Sequence, residues 1–251
     1  MTKIVQEINC SNCGAPLEFE PGEIIASCKY CGYTSIIQTK EPFTLEHSVI
    51  VNIIERDKIG ELIRGWMKKS FIAPRDLEKK AVIEESSLTY LPFWVIKARA
   101  TTTYKGILER VAPSVNKEGE IKNSYTWLVI ARIGSAFPTR SYKIPIEGRI
   151  PFNPAKLERP AKILNSEVSR EEAAQTAEQE IKELQLFLAK QEIDVITESH
   201  FEFEAEETFY LHAPIWSAAY AYKDVKYEVL LDGASGDIIK GTLPTAEFKL
   251  M

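Results

Sequence analysis

The chain has 251 residues, of which 45% are hydrophobic and 27% charged, and carries a formal charge of −5. That apolar content excludes a disordered chain, and no run of about 18 apolar residues exists to form a membrane-spanning helix. Met1-Thr2-Lys3-Ile4-Val5-Gln6-Glu7 lacks the apolar stretch of a signal peptide, so a cytoplasmic location is expected, and the acidity argues against a protein that coats nucleic acid over its whole surface.

The four cysteines come first in chain order. They read Cys10-Ser11-Asn12-Cys13-Gly14 and, fourteen residues later, Cys28-Lys29-Tyr30-Cys31-Gly32. A Cys-x-x-Cys knuckle points two sulfurs at one ion if the backbone turns tightly, and the glycine that follows tolerates the positive φ of that turn. Two knuckles supply four thiolates, a set suited to tetrahedral Zn²⁺. The gap between them holds two short strands, Leu17–Glu20 and Ile24–Ser27, around a Pro21-Gly22 turn. A chain without an export signal is not expected to use these cysteines as disulfides, and a redox dithiol would be a single pair near a βαβ unit. The expected cofactor is therefore one structural Zn²⁺ per chain, held by Cys10, Cys13, Cys28 and Cys31. With four protein ligands and no open position, it folds the ribbon and does not catalyse.

Residues Cys10 to Tyr33 resemble a zinc ribbon of the transcription-factor-B type, which also heads prokaryotic proteins described as replication-factor-like. The resemblance implies contact with proteins such as polymerase subunits, or with nucleic acid. The ribbon itself carries Lys3, Lys29 and Lys40 against Glu7, Glu18, Glu20 and Glu23, with no arginine. That set is poorly equipped to grip phosphates, so protein contact and a purely structural module stand as its two readings.

Glu41-Pro42 marks a boundary after the ribbon. Phe43 to Ile54 reads as a strand. Asp57 is expected to cap a helix to about Lys69, with Ile59, Leu62, Ile63 and Trp66 on one face, and Ala73-Pro74 ends that segment. A strand-rich stretch then contains Tyr90-Leu91-Pro92-Phe93-Trp94 and runs to Gly106. Ser169-Arg170-Glu171-Glu172 is a capping box that opens a helix to about Lys190, with Ala173, Ala177, Ile181, Leu184 and Leu188 as its buried face. Phe201 to Glu206 alternates as a half-buried strand does. A strand through Pro214-Ile215-Trp216 turns at Lys223-Asp224, returns through Tyr227, Val229 and Leu231, and turns again at Asp232–Asp237 into Ile238-Ile239.

Both halves thus run helix, then a strand bearing Pro-x-Trp, then a hairpin, which reads as an internal duplication. The expected fold class is α+β, an N-terminal zinc ribbon followed by two related helix-on-antiparallel-sheet units, with boundaries at 1–40, 41–160 and 161–251. Trp94 and Trp216 take equivalent places and read as core anchors; exposed together on one face, they would mark a binding surface. The second unit also resembles the small PepSY-type module on Tyr227-Glu228-Val229-Leu230-Leu231-Asp232-Gly233 and Gly236. That resemblance implies inhibition or protein interaction, not catalysis.

No catalytic residues are assigned. His47, His200 and His212 have no second histidine or cysteine at ligand spacing, and Walker, dinucleotide and nucleophile-elbow motifs are absent from the sequence. Asp232 and Asp237 read as turn formers, since the loop lacks the later glutamate of an EF-hand.

Charge is distributed unevenly. Residues 97–162 hold thirteen Lys/Arg against five Asp/Glu, and residues 163–251 hold seven against eighteen. Lys97, Arg99, Lys105, Arg132, Arg140 and Lys143 are the candidate surface for an anionic partner, with nucleic acid engaged through residues 97–149. Two other readings stand beside it: the basic and acidic regions neutralise each other, or the surface is a thermophile's Lys/Glu network. The function expected is a non-enzymatic zinc-ribbon adaptor or scaffold for protein partners. The alternative is a nucleic-acid-associated factor of the transcription or replication machinery, and a dispersed enzymatic site is a third option.

Overall fold

A computed structural model describes residues 6–10, 14–19, 25–28, 34–36, 47–153, 156–158 and 161–245. Cys13, Cys31, the Pro21-Gly22 turn and the Glu41-Pro42 boundary lie outside the described residues.

The N-terminal segment contributes β1 (Gln6–Asn9), β2 (Pro16–Phe19), β3 (Ile25–Ser27) and β4 (Thr34–Ile36). The two strands expected around Pro21-Gly22 correspond to β2 and β3, but each pairs outward: β2 with β1, ending at Asn9↔Pro16, and β3 with β4, ending at Ser27↔Thr34. Each Cys-x-x-Cys run therefore lies in the connection of its own antiparallel hairpin.

The remainder is α+β. Its elements are β5 (His47–Val49), α1 (Ile59–Lys69), α2 (Leu77–Lys80), β6 (Val82–Leu108), β7 (Val115–Ile130), β8 (Ile150–Pro151), β9 (Lys162–Ile163), α3 (Arg170–Glu192), β10 (Val195–Tyr222), β11 (Val225–Asp232) and β12 (Ile238–Gly241). Strands β5 to β12 form one mixed sheet, in which β6 and β9 are a parallel pair. The chain divides into two compact units, made of residues 1–92, 136–166 and 211–251, and of residues 93–135 and 167–210. These units are interleaved segments and do not coincide with the consecutive partition expected at 41–160 and 161–251. The division falls inside β6 and inside β10.

In the first unit, α1 buries Ile59, Ile63 and Met67 in a core with Trp216, Ala218, Tyr220, Tyr222, Val229 and Leu231. Leu62 and Trp66 pack at its margin, so the expected face is the one used. Asp57 is not its cap. It sits in a 3-10 turn, Arg56–Lys58, that leads into the helix, and Lys58 is the N-cap without a side-chain hydrogen bond. The expected strand over 43–54 is reduced to the three residues of β5 among the described residues.

In the second unit, α3 covers β6 and β7. The capping box forms as expected: Ser169 Oγ accepts from the Glu172 amide, and the Glu172 carboxylate accepts from the Ser169 amide at 2.8 Å. The buried stripe is Ala173, Ala177, Ile181, Gln185 and Ala189, not the expected Leu184 and Leu188, which are half-buried. Small residues let the helix lie close to the sheet. Gln185 is tolerated there because its amide is satisfied: it accepts from Thr102 Oγ1 at 2.5 Å and donates to the Ala100 carbonyl at 2.9 Å. Gly119 is required on β7, since a Cβ there would fall 2.4 Å from the Tyr104 hydroxyl oxygen.

Each helix thus shares its core with strands from the opposite half of the sequence. Helix α1 is buried with residues of β10 and β11 as well as with Leu88 and Tyr90 of β6, and α3 packs on β6 and β7.

Candidate metal centre and charged faces

Among the four candidate zinc ligands, Cys10 and Cys28 are described and both are buried, sharing one small cluster with Leu17. Cys10, Gly14 and Ala15 flank the first Cys-x-x-Cys run and are joined by two backbone hydrogen bonds. The Gly14 amide donates to the Cys10 carbonyl at 2.8 Å, the Cys10 amide donates to the Ala15 carbonyl at 2.7 Å, and Gly14 sits at φ +73°. Cys28 follows β3 as Cys10 follows β1, so the two knuckles begin at equivalent points of two hairpins. No group of three ligating side chains occurs among the described residues, which hold only two of the four cysteines. The donor set, the tight knuckle and the shared burial of Cys10 and Cys28 fit a zinc ion that Cys10, Cys13, Cys28 and Cys31 would hold. Such an ion would supply folding energy to a segment whose described apolar cluster is very small.

The basic candidates fall in two places. On β6, burial alternates: Ala98, Ala100, Thr102 and Tyr104 are buried under α3, whereas Arg99, Thr103 and Lys105 face solvent. On that open face the cations meet the acidic first half of β10. Lys97 contacts Glu207 at 2.7 Å, Arg99 contacts Glu206 at 2.8 Å and Glu204 at 3.5 Å, and Lys105 contacts Glu198 at 3.1 Å. Arg132 contacts Glu167 at 2.7 Å. Lys117 and Arg110 extend the pattern to Glu192 and Asp194. These pairs are largely solvated, so each contributes about 0–1 kcal/mol; their collective effect is to neutralise the face. Arg140 and Lys143 are not on this face. They follow Phe137 in the first unit, outside any strand.

The histidines divide likewise. His200 is exposed, 3.4 Å from Glu202. His47 and His212, 165 residues apart, are in direct contact, with His47 Nε2 2.8 Å from His212 Nδ1. His212 is wholly buried and His47 stacks on Phe152 with ring centroids 4.0 Å apart. His212 Nε2 lies 2.8 Å from the Leu164 carbonyl, which can only accept, so this nitrogen carries the proton. His212 Nδ1 is then the acceptor and His47 Nε2 the donor, so the His212 ring is neutral. Burial lowers the His212 pKa to about 4, and burial together with the neighbouring His212 lowers that of His47 to about 2. Spacing along the chain gives no signal for this pair, because the contact is made by β5 against β10.

Trp216 is fully buried and Trp94 nearly so, so both are core anchors, as expected. Their indole N–H groups make parallel choices. Trp216 donates to Asn52 Oδ1 ahead of α1, and Trp94 donates to the Val168 carbonyl ahead of α3, both at 2.9 Å. Asp232 is a turn former, accepting from the Ala234 amide at 2.8 Å. It is also buried, which pushes its carboxyl pKa up, and the phenol of Tyr142 beside it is raised too. The Asp232–Asp237 turn closes through the Asp232 amide on the Asp237 carbonyl.

Compared with protein-family models, with curated proteins and with solved structures, the chain matches none. Among the described residues, no helix is long and apolar enough to cross a membrane.

Proposed function

We propose that this protein is a non-enzymatic zinc-ribbon adaptor, in which a small metal-held module contacts a protein partner and the α+β body is its scaffold. The observation that carries this reading is the pairing of the basic strand with its own acidic neighbour: Lys97, Arg99, Lys105 and Arg132 each meet a carboxylate within one unit. A face already neutralised releases few counterions on meeting a polyanion, which weakens the case for nucleic acid there. The knuckle turn at Gly14 and the shared burial of Cys10 and Cys28 support the ribbon with its structural zinc.

The scaffold is read as a duplicated unit. The two Pro-x-Trp strands, and the two indole hydrogen bonds to the segments ahead of α1 and α3, support that reading. The turn at Asp232 to Gly236 keeps the PepSY-like reading of the second half open as an interaction module.

The test is capture from a nuclease-treated lysate with the wild-type chain and Cys28→Ser in parallel. A protein retained by the wild type and lost from a Cys28→Ser variant whose body melts unchanged supports the adaptor. Retention on a polyanion resin that falls steeply with salt, and vanishes when Lys97, Arg99 and Arg132 are reversed in charge, replaces it with the transcription- or replication-factor reading. Turnover of a substrate that depends on body residues and not on the ribbon rejects both.

A further inference from the structure

The cations of β6 are matched by carboxylates; those around the end of α1 are not. Residues 64–80 carry six Lys/Arg against Asp76 and Glu78. Asp76 is taken by Lys80 at 2.7 Å and by the Tyr222 hydroxyl at 2.9 Å. Arg64 is turned inward to the carbonyls of Glu78 and Ala81. That leaves Lys68, Lys69, Arg75 and Lys79, all exposed and none in an ion pair among the described residues, against the single carboxylate of Glu78.

Between these cations the chain bends through Phe71 and Ile72. Phe71 is 100% exposed and Ile72 59%. Scattered surface leucines or valines are ordinary, but a phenylalanine with no cover at all, next to an isoleucine, is not. The bend is anchored on both sides. Met67, Ala73 and Leu77 are buried in the core, the Ser70 amide donates to the Met67 carbonyl, and the Leu77 amide donates to the Pro74 carbonyl at 3.0 Å. The two apolar side chains are therefore held outward on a fixed support, flanked along the chain by positive charge.

We infer that this bend is a peripheral docking site for an anionic lipid surface, with Phe71 and Ile72 entering the interfacial layer and Lys68, Lys69, Arg75 and Lys79 meeting headgroup phosphates. Charge complementarity selects an anionic occupant. The shape selects a membrane over an acidic protein. A stable protein interface needs roughly 800 Å² per partner with several apolar anchors, whereas two adjacent side chains on one tip suit a soft surface they can enter. This site is independent of the ribbon and of the adaptor reading.

The experiment is co-sedimentation of the full-length protein with phosphatidylcholine vesicles and with vesicles that also contain phosphatidylserine. Binding is expected to the anionic vesicles, weak on the neutral ones and falling with salt. Phe71→Ser removes one aromatic anchor and is expected to weaken partitioning roughly tenfold or more. Since its side chain is fully exposed among the described residues, the melting curve should not move. Phe71→Leu should keep most of the binding, and Lys68→Glu with Lys69→Glu should abolish it. No sedimentation with anionic vesicles overturns the assignment, as does binding that Phe71→Ser leaves unchanged. Retention by an acidic peptide without vesicle binding overturns it in favour of a protein partner.

Discussion

The His47–His212 pair makes stability depend on pH in a window where few other groups titrate. In the unfolded chain each imidazole titrates near about 6.5. In the folded chain both are held neutral, at about 4 for His212 and about 2 for His47, and the two titrate as a coupled pair. The native state therefore binds fewer protons, so stability is fully present above pH 6.5 and is lost as pH falls below it. Each neutral imidazole loses about 1.4 kcal/mol per pH unit in this range, so at pH 5 the pair costs about 4 kcal/mol, a large part of a typical total. Asp232 runs the other way, because burial raises its carboxyl pKa and acidification favours the fold through it. Urea unfolding of the wild type between pH 7.5 and 5 should show the fall. A double variant His47→Gln, His212→Gln keeps Asp232 and every surface carboxylate, so the difference between the two curves isolates the histidines. Parallel curves for the two proteins, or His47 and His212 NMR signals that titrate near 6.5, would refute the neutral pair.

Other perturbations test the remaining parts. Cys10→Ser or Cys28→Ser should drop the zinc content from one per chain to none and unfold the ribbon, whose folding depends on roughly 10 kcal/mol of metal binding, while the melting of the body stays in place; metal analysis with calorimetry checks both. Gln185→Ala strands the Thr102 hydroxyl and the Ala100 carbonyl in a buried site and should cost about 2–4 kcal/mol in denaturant unfolding. Lys97→Ala, by contrast, should cost under about 1 kcal/mol, and that loss should shrink further in high salt. Cleavage between Ser166 and Glu167 separates each helix from its sheet, so fragments 1–166 and 167–251 should each lack cooperative unfolding of the body and regain it on mixing; a fragment that melts cooperatively alone contradicts the exchange.

Local chemistry was readable from the sequence, and long-range pairing was not. The capping box of α3 is legible because Ser169 and Glu172 complete it within four residues. The turn at Lys223-Asp224, whose two residues take positive φ, is legible because two strand patterns flank it closely. Asp57 misled because a capping residue type also suits a 3-10 turn, and the chain used it there. Leu184 and Leu188 misled because an apolar pattern assumes an apolar floor, whereas the sheet beneath α3 offers Thr102 and the Ala100 carbonyl to Gln185. In the cysteine segment, spacing proposed four zinc ligands but assigned the strands to each other and not to the hairpins outside them. The charge asymmetry was visible as two blocks, but only the adjacency of β6 and β10 in the sheet turns those blocks into pairs.

The exchange of helices and the asymmetry of charge have one source. If each half folded on itself, the basic strand β6 would lie under its own preceding helix, and the acidic first half of β10 would have no basic strand to meet. Because β6 and β10 are neighbours in the sheet, the alternation that buries Ala98, Ala100 and Thr102 beneath α3 also presents Arg99 and Lys105 on the face where Glu206, Glu204 and Glu198 emerge. An adjacent like-charged strand would repel, so a +8 block followed by a −11 block is what a sheet assembled from the two halves requires. The same logic separates the cations with a structural part from those without one. Lys97, Arg99 and Lys105 are accounted for by the sheet, whereas Lys68, Lys69, Arg75 and Lys79 make no ion pair among the described residues, and it is beside these in the chain that Phe71 stands uncovered.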